Sequence, residues 1–321
     1  MVDFNELVAA VNRLKGVANK TPVMTSRHLS ELCGVQVFLK CENFQRVGAF
    51  KFRGAYNCIS KRLAANPELK QRGIVAISSG NHSQGVALAA KLLEVPVTIY
   101  LPKDAPATKI EATKNYGAKL EFFDRSKQDR DKIFQDLVAQ GETLIHGYDD
   151  PDIIAGQGTA ALELMHEIPD LDLIISPLGG GGLLSGTMIA ARAYNPKIKV
   201  YGVEPEVAND WQLSLEAGKR VAIDAPQTVA DGVSLCTPGE LTFEILKDEL
   251  DGVILVSEEE IMDALKYVIS RMKIVIEPSS ALVVAALMQG KVPLEGIKKA
   301  GLMISGGNID PQLLSETFMS S

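Results

Sequence analysis

Short apolar runs alternate with stretches of helical periodicity along most of this 321-residue chain. The first series of predicted strands lies at 74–77, 97–101, 119–123 and 143–145. The helices predicted between them lie at 82–93, 107–116 and 127–140. A second series follows position 151, with strands predicted at 173–176, 199–203, 252–256 and 301–304. Such alternation is typical of parallel sheets with helices on both faces, so the sequence predicts an α/β protein with two parallel-sheet lobes.

The composition suits a large folded core and argues against several classes of protein. Hydrophobic residues make up 46% of the chain, and the formal net charge is −7. Because no basic run interleaved with aromatics occurs, nucleic acid is not an expected partner. No apolar run approaches the roughly 18 residues of a membrane span, and the acidic N-terminus lacks the apolar core of a signal peptide. The four cysteines show no C-x-x-C spacing, which favours a reduced cytoplasmic protein.

A single lysine, Lys51, lies between Phe50 and Phe52 in the run GAFKFRGA. Apolar neighbours favour the neutral form of an amine, and a neutral amine can form a Schiff base with an aldehyde. The alternative is a surface lysine at the start of an ordinary helix. These residues by themselves do not decide between the two.

Four consecutive glycines follow the predicted strand at 173–176 and precede a predicted helix. Glycines let the backbone approach an anion closely, and the helix start adds a favourable partial charge, so a phosphate is the expected guest. The residues predicted to bind it are Gly179, Gly180, Gly181, Gly182 and Leu183. The competing interpretation is a dinucleotide site, because Glu204 lies 22 residues after Gly182, where a ribose-binding acid would stand.

A second strand-to-helix turn carries polar side chains. Its residues are Ser78, Ser79, Gly80, Asn81 and His82. Hydroxyls, an amide and backbone N–H groups at a helix start can hold a carboxylate. Plain capping of the helix is the alternative.

Together these stretches resemble the pyridoxal-phosphate (PLP) enzymes of fold type II, and within them the serine/threonine dehydratase and serine racemase family. The resemblance covers nearly the whole chain. The motifs that carry it, in the family's order, are GAFKFRGA, SSGNHSQG, IAGQGT, GGGGL, GVEP, IEPSSA and SGGN. It implies a tryptophan-synthase-β-like fold, with a large PLP-binding domain at 1–72 and 150–321 and a small inserted domain at 73–149.

The resemblance also implies roles for individual residues toward the cofactor. Lys51 would hold PLP as a Schiff base and take the α-proton of the substrate. Phe50 would pack against the cofactor ring, and Asn81 would contact its hydroxyl. Ser305, which begins the SGGN motif, would face the pyridine nitrogen as a neutral partner. A neutral ring is a weaker electron sink, which favours early loss of a β-substituent or rapid reprotonation over transamination.

The substrate carboxylate would be held by the SSGN turn, here Ser78, Ser79 and Asn81, with His82 beside it. Ser79 also occupies the position of the second acid/base in racemase members. By a looser alignment Arg130 would reach the same carboxylate, although a solvated helix face is the ordinary interpretation of its surroundings. Ala49 is a departure, because many members have serine there.

A divalent-cation site is implied by the racemase-like branch. It would use the carboxylates of Glu204 and Asp210 and the carbonyl of Ala208, a set that suits Mg²⁺, Ca²⁺ or Mn²⁺. A solvated acidic turn is the alternative.

The function expected is a PLP-dependent dehydratase, or ammonia-lyase, of L-serine or L-threonine, with serine racemisation as an additional activity. The alternative within the class is a threo-3-hydroxyaspartate ammonia-lyase. Alternatives from other classes are an NAD-dependent oxidoreductase and a non-catalytic amino-acid-binding protein. The resemblance further implies a homodimer and leaves room for a nucleotide effector.

Overall fold

The computed structural model describes residues 2–78, 80–105, 107–124, 127–128 and 130–319. The strands in these residues are β1 Val23–Thr25, β2 Gln36–Cys41, β3 Ile74–Ile77, β4 Val97–Pro102, β5 Lys119–Phe123, β6 Leu173–Pro177, β7 Lys199–Pro205, β8 Gly252–Val256 and β9 Lys299–Ile304. The helices are α1 Phe4–Leu14, α2 Arg27–Cys33, α3 Lys51–Ala65, α4 Leu69–Arg72, α5 Asn81–Leu93, α6 Ala107–Asn115, α7 Arg130–Ala139, α8 Pro151–Glu167, α9 Gly182–Tyr194, α10 Asp210–Ala217, α11 Glu240–Leu246, α12 Glu258–Tyr267, α13 Pro278–Met288 and α14 Pro311–Met319.

Two separate sheets organise these elements, which confirms the predicted α/β class. The larger has the order β1-β2-β9-β6-β7-β8 and the smaller the order β3-β4-β5. All pairs within the smaller sheet are parallel. The larger sheet is mixed rather than wholly parallel, since β1 pairs antiparallel with β2. A strand of three residues carries no readable period, which is why the sequence did not predict it.

The predicted strand at 143–145 is not a strand in the structure. Leu144 makes one isolated parallel bridge to Val75, and the backbone hydrogen bonds on either side of it join 143 and 145 to the edge of β3. The small sheet lies within 73–149, but the domain boundaries proposed from the sequence stay a prediction.

Central strands are continuous apolar runs because both of their faces are covered. All five residues of β6 are buried, and α13, which packs beside the same sheet, is buried from Pro278 to Leu287. Burial on both faces removes the alternation of apolar and polar residues seen in half-exposed strands. The core that results holds β9, β6 and β7 side by side, and their carboxyl ends therefore open at one edge.

Helix α3 is packed tightly between α5 and α8, and this packing places Lys51 between the two sheets. A Cβ atom added at Gly85 of α5 would lie 3.1 Å from the carbonyl carbon of Lys51. One added at Gly156 of α8 would lie 2.6 Å from the carbonyl oxygen of Arg53. A side chain has no room at Gly156, and at Gly85 it would force the backbone of α3 to move by a few tenths of an ångström, so glycines allow this close approach of the helices.

A buried ion network fixes the start of α3 to its surroundings. The Arg53 guanidinium donates to Glu42 Oε2 at 2.7 Å and to Glu163 Oε1 at 2.7 Å. Lys40 Nζ donates to the other oxygen of Glu163 at 2.6 Å. Charges this deeply buried are tolerated only when paired and hydrogen-bonded, so α3 is held in one position.

Among the described residues, no helix combines the length and the apolar character that a membrane crossing requires.

Candidate active site

A cavity of about 630 Å³ lies where the carboxyl ends of the two sheets face each other. It brings together most of the residues that the sequence singled out: Phe50, Lys51, Ser78, Asn81, His82, Gly179, Gly180, Gly181, Gly182, Leu183 and Ser305. Its volume falls within the range of about 300–1,000 Å³ typical of small-molecule and cofactor sites.

Lys51 is the first residue of α3, and its amine lies in the cavity wall. Lys51 Nζ donates to the carbonyl oxygen of Gly147 at 2.7 Å and lies 5.0 Å from the centroid of the Phe50 ring. The amine is therefore held at a defined position by an acceptor that follows the small sheet and by an aromatic face. The predicted packing of Phe50 against the cofactor ring stays a prediction.

The backbone that leads to Lys51 is strained and clamped. Val47 has a φ of 57°, which is rare for a β-branched residue. Its carbonyl accepts from Asn308 Nδ2 at 2.7 Å, and the amide of Phe50 donates to the carbonyl of Ser305 at 3.0 Å. The SGGN turn therefore holds the lysine loop in a conformation that the loop would not adopt alone.

The glycine loop directs its carbonyl groups into the protein. Trp211 Nε1 donates to the carbonyl of Gly179, and Thr242 Oγ1 donates to the carbonyl of Gly180 at 2.7 Å. Within the described part of the chain, the N–H groups of these two glycines have no acceptor. Backbone amides turned toward a cavity at the start of α9 form a cradle for an anion.

The loop needs glycine for a second reason, which the sequence did not reveal. A Cβ atom at Gly180 would lie 2.2 Å from Cγ of Tyr148, and one at Gly181 would lie 2.5 Å from Cζ2 of Trp211. Gly181 also has a φ of 87°. Close packing against two aromatic rings and an approach path for a phosphate thus require the same residue type.

Asn81 is fixed by two partners from the far end of the chain. Its Nδ2 donates to both carboxylate oxygens of Glu277 at 2.9 Å, and its Oδ1 accepts from Asn308 Nδ2 at 2.8 Å. Because a carboxylate only accepts and the Asn308 Nδ2 only donates, these partners fix which side-chain atom of Asn81 is the nitrogen and which is the oxygen. Burial raises the pKa of Glu277 to about 7, and the nearby Asp231 adds to the rise, whereas the hydrogen bond from Asn81 lowers it.

We expect Glu277→Gln to remove a pH dependence of folding stability. A carboxyl group whose pKa is raised in the folded state stabilises that state at low pH, and this contribution is lost as the pH rises from about 4.5 to about 7. The free energy of unfolding of the wild type should therefore fall by on the order of 2 kcal/mol more than that of the variant between pH 5 and pH 8. Denaturant unfolding of both proteins at the two pH values measures this. Parallel profiles would show that Glu277 does not titrate in this range.

Ser305 lines the cavity with a neutral hydroxyl, and its predicted place opposite a ring nitrogen stays a prediction. Its Oγ lies 3.0 Å from Oγ of Ser280, which donates to the carbonyl of Gly306 at 2.7 Å and accepts from the Gly306 amide at 2.8 Å. Because Ser280 has one hydrogen and gives it to Gly306, Ser305 keeps its own hydrogen for Ser280 or for a bound ring nitrogen.

The predicted carboxylate-binding turn lies at the start of α5. Ser78 Oγ accepts from the Gly80 amide at 3.2 Å, and His82 Nε2 lies 3.0 Å from the carbonyl oxygen of Ile145. Ser79 lies outside the described residues, and so does the side chain of Arg130, whose backbone begins α7. The roles given to both residues stay predictions.

Glu204 and Asp210 form a buried acidic pair beside the glycine loop. The Glu204 carboxylate is fully buried and accepts the backbone amides of Trp211 and Gln212 at 3.1 and 3.2 Å. Neither oxygen of Asp210 has a hydrogen-bond partner among the described residues. Burial, and for Glu204 also the neighbouring Asp210, raises the pKa of both groups. Two buried carboxylates without a counter-charge, next to the buried Ala208, fit a hard divalent cation.

A second acidic group does not offer the same chemistry. The ligand atoms of Cys58, Asp150 and Asp152 lie within 4.8 Å of one another. However, Arg62 pairs with Asp150, and Lys61 pairs with Asp152 at 2.7 Å. Because these cations already neutralise the carboxylates, the cluster serves as an ion-paired start of α8.

Comparison with known proteins agrees with this geometry. The family described as pyridoxal-phosphate dependent enzyme matches residues 14–306. The chain is 48% identical to L-threo-3-hydroxyaspartate ammonia-lyase of Saccharomyces cerevisiae, over 96% of this chain and 93% of that protein. It is 47% identical to serine racemase of Schizosaccharomyces pombe, over 96% and 94%. The solved structure of serine racemase from Dictyostelium discoideum superposes with a TM-score of 0.88 at 44% identity, over 96% and 99% of the two chains.

The chain therefore belongs to the family of pyridoxal-phosphate dependent enzymes, and its fold is that of fold type II. Pyridoxal phosphate is the cofactor that this membership supports. The interpretation of the glycine loop as a dinucleotide site is wrong. Glu204, which would have bound a ribose, is buried and accepts the amides of Trp211 and Gln212.

Several residues of the site were not identified from the sequence as site residues. They are Gly147, Tyr148, Trp211, Glu277, Ser280 and Asn308. Glu277 and Ser280 lie in the IEPSSA motif and Asn308 in SGGN, so the motifs marked the right segments. Polar residues inside an otherwise apolar strand–helix junction were the available signal.

Proposed function

We propose that the protein is a PLP-dependent ammonia-lyase that removes water from a small L-3-hydroxy amino acid and releases a 2-oxo acid and ammonia. The observation that carries the proposal is one cavity that holds the Lys51 amine, the amides of the glycine loop and the neutral hydroxyl of Ser305. A lysine, an anion cradle and a ring-nitrogen partner are the three contacts that such a cofactor needs from a protein.

When bound, pyridoxal phosphate supplies an aldehyde for the lysine and a ring that withdraws electrons from the α-carbon of the substrate. The amides of Gly179 and Gly180 would hold its phosphate, and the Asn81 amide would lie beside its hydroxyl. Ser305 would meet the ring nitrogen without fixing a positive charge on it. This electronic setting favours departure of the 3-hydroxyl over transfer of the amino group.

The protein's own side chains would bind the substrate and move its protons. The turn at the start of α5 would bind the substrate carboxylate through Ser78 and Asn81. Lys51, once released, would take the α-proton and so act as a base on one face of the substrate. The 3-hydroxyl leaves as water, and the free enamine product hydrolyses to the 2-oxo acid and ammonia. The reaction balances without an oxidant or a reductant.

Racemisation of serine is a second activity that we propose, with Ser79 as its distinguishing residue. Inverting the α-carbon requires a proton on the face opposite Lys51. A serine hydroxyl held by nearby donors can supply it. Relatives named serine racemase at 44–47% identity support this extension.

L-Serine and L-threonine are the substrates that we place first, and L-threo-3-hydroxyaspartate is the specific alternative. A cationic side chain in the cavity wall, Lys109, favours L-threo-3-hydroxyaspartate because that substrate carries a second carboxylate. Lys109 is 14% exposed and pairs with Asp231, whose side chain is more accessible. A second substrate carboxylate can replace Asp231, which would return to solvent. Two relatives named for this ammonia-lyase activity, at 48% and 47% identity, support the same candidate.

A substrate panel tests the proposed function. L-Serine, D-serine, L-threonine and both threo-3-hydroxyaspartates are offered to the holoenzyme, and 2-oxo acid release and product chirality are measured. We expect 2-oxo acid from at least one L-3-hydroxy amino acid. A protein that carries the cofactor but releases no 2-oxo acid from any of them would contradict the proposal.

We further propose that Glu204, Asp210 and the carbonyl of Ala208 bind Mg²⁺, or Ca²⁺ or Mn²⁺ in its place. Removing the ion should lower the activity and the melting temperature together, because a ligand that binds only the native state stabilises it by mass action. At a free ion concentration of 100 times Kd, the loss is about 2.7 kcal/mol. Chelation followed by readdition of Mg²⁺ tests this, with Glu204→Gln as the control that should no longer respond. An unchanged melting temperature of the wild type after chelation would contradict the assignment.

A homodimer and a nucleotide effector are proposals that rest on the resemblance alone, and a cytoplasmic location is a proposal that rests on the four cysteines without C-x-x-C spacing. Sedimentation analysis of the purified protein tests the first, and activity with and without added ATP tests the second.

A further inference from the structure

Trp211 touches both the acidic pair and the glycine loop. Its backbone amide donates to Glu204 Oε1 at 3.1 Å, and it directly follows Asp210 in α10. Its indole Nε1 donates to the carbonyl of Gly179. Its ring edge lies so close to Gly181 that a Cβ atom there would be 2.5 Å from Cζ2. One residue, through its backbone amide on one side and its indole on the other, therefore connects the two sites.

The connection is rigid. Trp211 is fully buried and packs against Phe243, with ring centroids 5.9 Å apart. The strands that carry the two sites, β6 and β7, are hydrogen-bonded neighbours, and the Leu178 amide donates to the Val203 carbonyl at 2.9 Å. Because the start of α10 is hydrogen-bonded to Glu204 and the indole is tightly packed against the glycine loop, a shift of the Glu204 carboxylate would displace first α10 and then the loop.

We propose that Trp211 is a positioning residue through which occupancy of the Glu204–Asp210 pair by a divalent cation sets the geometry of the anion cradle. With a cation between the carboxylates, Glu204 keeps its two backbone donors and α10 holds the indole against Gly179. Without it, nothing holds the two buried acids at the spacing that the ion imposes, and the start of α10, which carries Asp210, shifts relative to Glu204. The Gly179 carbonyl then loses its donor, and the amides that should meet the phosphate turn away.

The inference rests on the proposed cofactor and cation sites, and it adds that binding at one site strengthens binding at the other. Cation binding should strengthen cofactor binding, and by reciprocity cofactor binding should strengthen cation binding by the same factor. A coupling of about tenfold lies within the usual range for linked sites. A purely structural tryptophan would produce no such linkage.

The experiment measures the dissociation constant of pyridoxal phosphate by equilibrium dialysis, in Mg²⁺ and in EDTA, for the wild type and two variants. Trp211→Phe removes the indole N–H, whereas Phe243→Leu loosens the packing around the indole and leaves the N–H in place. We expect the wild-type constant to rise about tenfold in EDTA. For Trp211→Phe it should already be about tenfold higher in Mg²⁺ and change less than about twofold in EDTA, while Phe243→Leu should keep the wild-type response.

A second readout does not depend on the cofactor. The chain contains one tryptophan, so the emission of the wild type reports Trp211 alone and should change when Mg²⁺ is added to the chelated protein. Trp211→His, which keeps a ring N–H, should recover part of the metal response if Trp211→Phe fails to fold.

Three results would overturn the coupling: a wild-type constant that is the same in Mg²⁺ and EDTA, a full metal response in Trp211→Phe, or unchanged emission on adding Mg²⁺. Failure of the proposed function looks different. The wild type would then bind cofactor and metal with the expected linkage and yet release no 2-oxo acid from any 3-hydroxy amino acid.

Discussion

Replacing Lys51 with alanine is expected to abolish cofactor attachment and to lower turnover by at least about 10³-fold. In the proposed function the amine is both the covalent anchor and the base that takes the α-proton, so its loss should remove two contributions at once. The structure places it in the cavity wall, 2.7 Å from the Gly147 carbonyl. The visible absorbance of the lysine-bound cofactor and the rate of 2-oxo acid release measure the effect.

Lys109 supplies the matched control for attachment, since it lines the same cavity. Lys109→Ala should keep the absorbance of the lysine-bound cofactor. Borohydride reduction of the wild type should fix the cofactor on the peptide that contains Lys51. Label found on any other lysine would contradict the assignment.

Replacing Ser79 with alanine is expected to slow the racemisation of serine much more than its elimination. Elimination needs one base on one face of the substrate, and in the proposed function Lys51 would provide it. Racemisation also needs a proton delivered to the other face. We therefore expect conversion of L-serine to D-serine to fall by at least about 10²-fold. Pyruvate release should fall less, because Ser78 and Asn81 would still be present to bind the carboxylate as proposed.

The neighbouring serine is the control for this separation. Ser78→Ala should weaken carboxylate binding and lower both reactions by similar factors. Chiral analysis of serine beside pyruvate release, for the wild type and both variants, gives the comparison. Equal losses in Ser79→Ala would make Ser79 a binding residue only, and a wild type that forms no D-serine would make the protein a dehydratase only.

The sequence predicted the elements that are long or bounded by distinctive turns. The strand at 74–77 and the strand at 119–123 match β3 and β5 residue for residue. Lys51 and the glycine loop were identifiable because a lysine between aromatics and four consecutive glycines are locally costly choices, and such choices mark function. Motif order then connected them to one family.

The remaining contacts of the site are not local in sequence, and no spacing rule could have found them. Asn81 and Glu277 are 196 residues apart and Asn81 and Asn308 are 227 apart, yet they share hydrogen bonds. The left-handed conformation of Val47 is imposed by tertiary contacts against the preference of the residue itself. Trp211 belongs to none of the motifs found in the sequence, and its hydrogen bond to Gly179 and its packing against Gly181 connect it with the glycine loop.

The central claim is that this cavity eliminates water from a 3-hydroxy amino acid, with Lys51 as the base, and that the enamine product then takes up water to give a 2-oxo acid and ammonia. The most direct test is the molar ratio of 2-oxo acid to ammonia that the holoenzyme releases from L-serine, L-threonine or L-threo-3-hydroxyaspartate, without added oxidant. We expect equal amounts of both products from at least one of them, and none from the Lys51→Ala variant. Release of 2-oxo acid that requires an added nicotinamide cofactor, or no release from a protein that carries pyridoxal phosphate on Lys51, would contradict it.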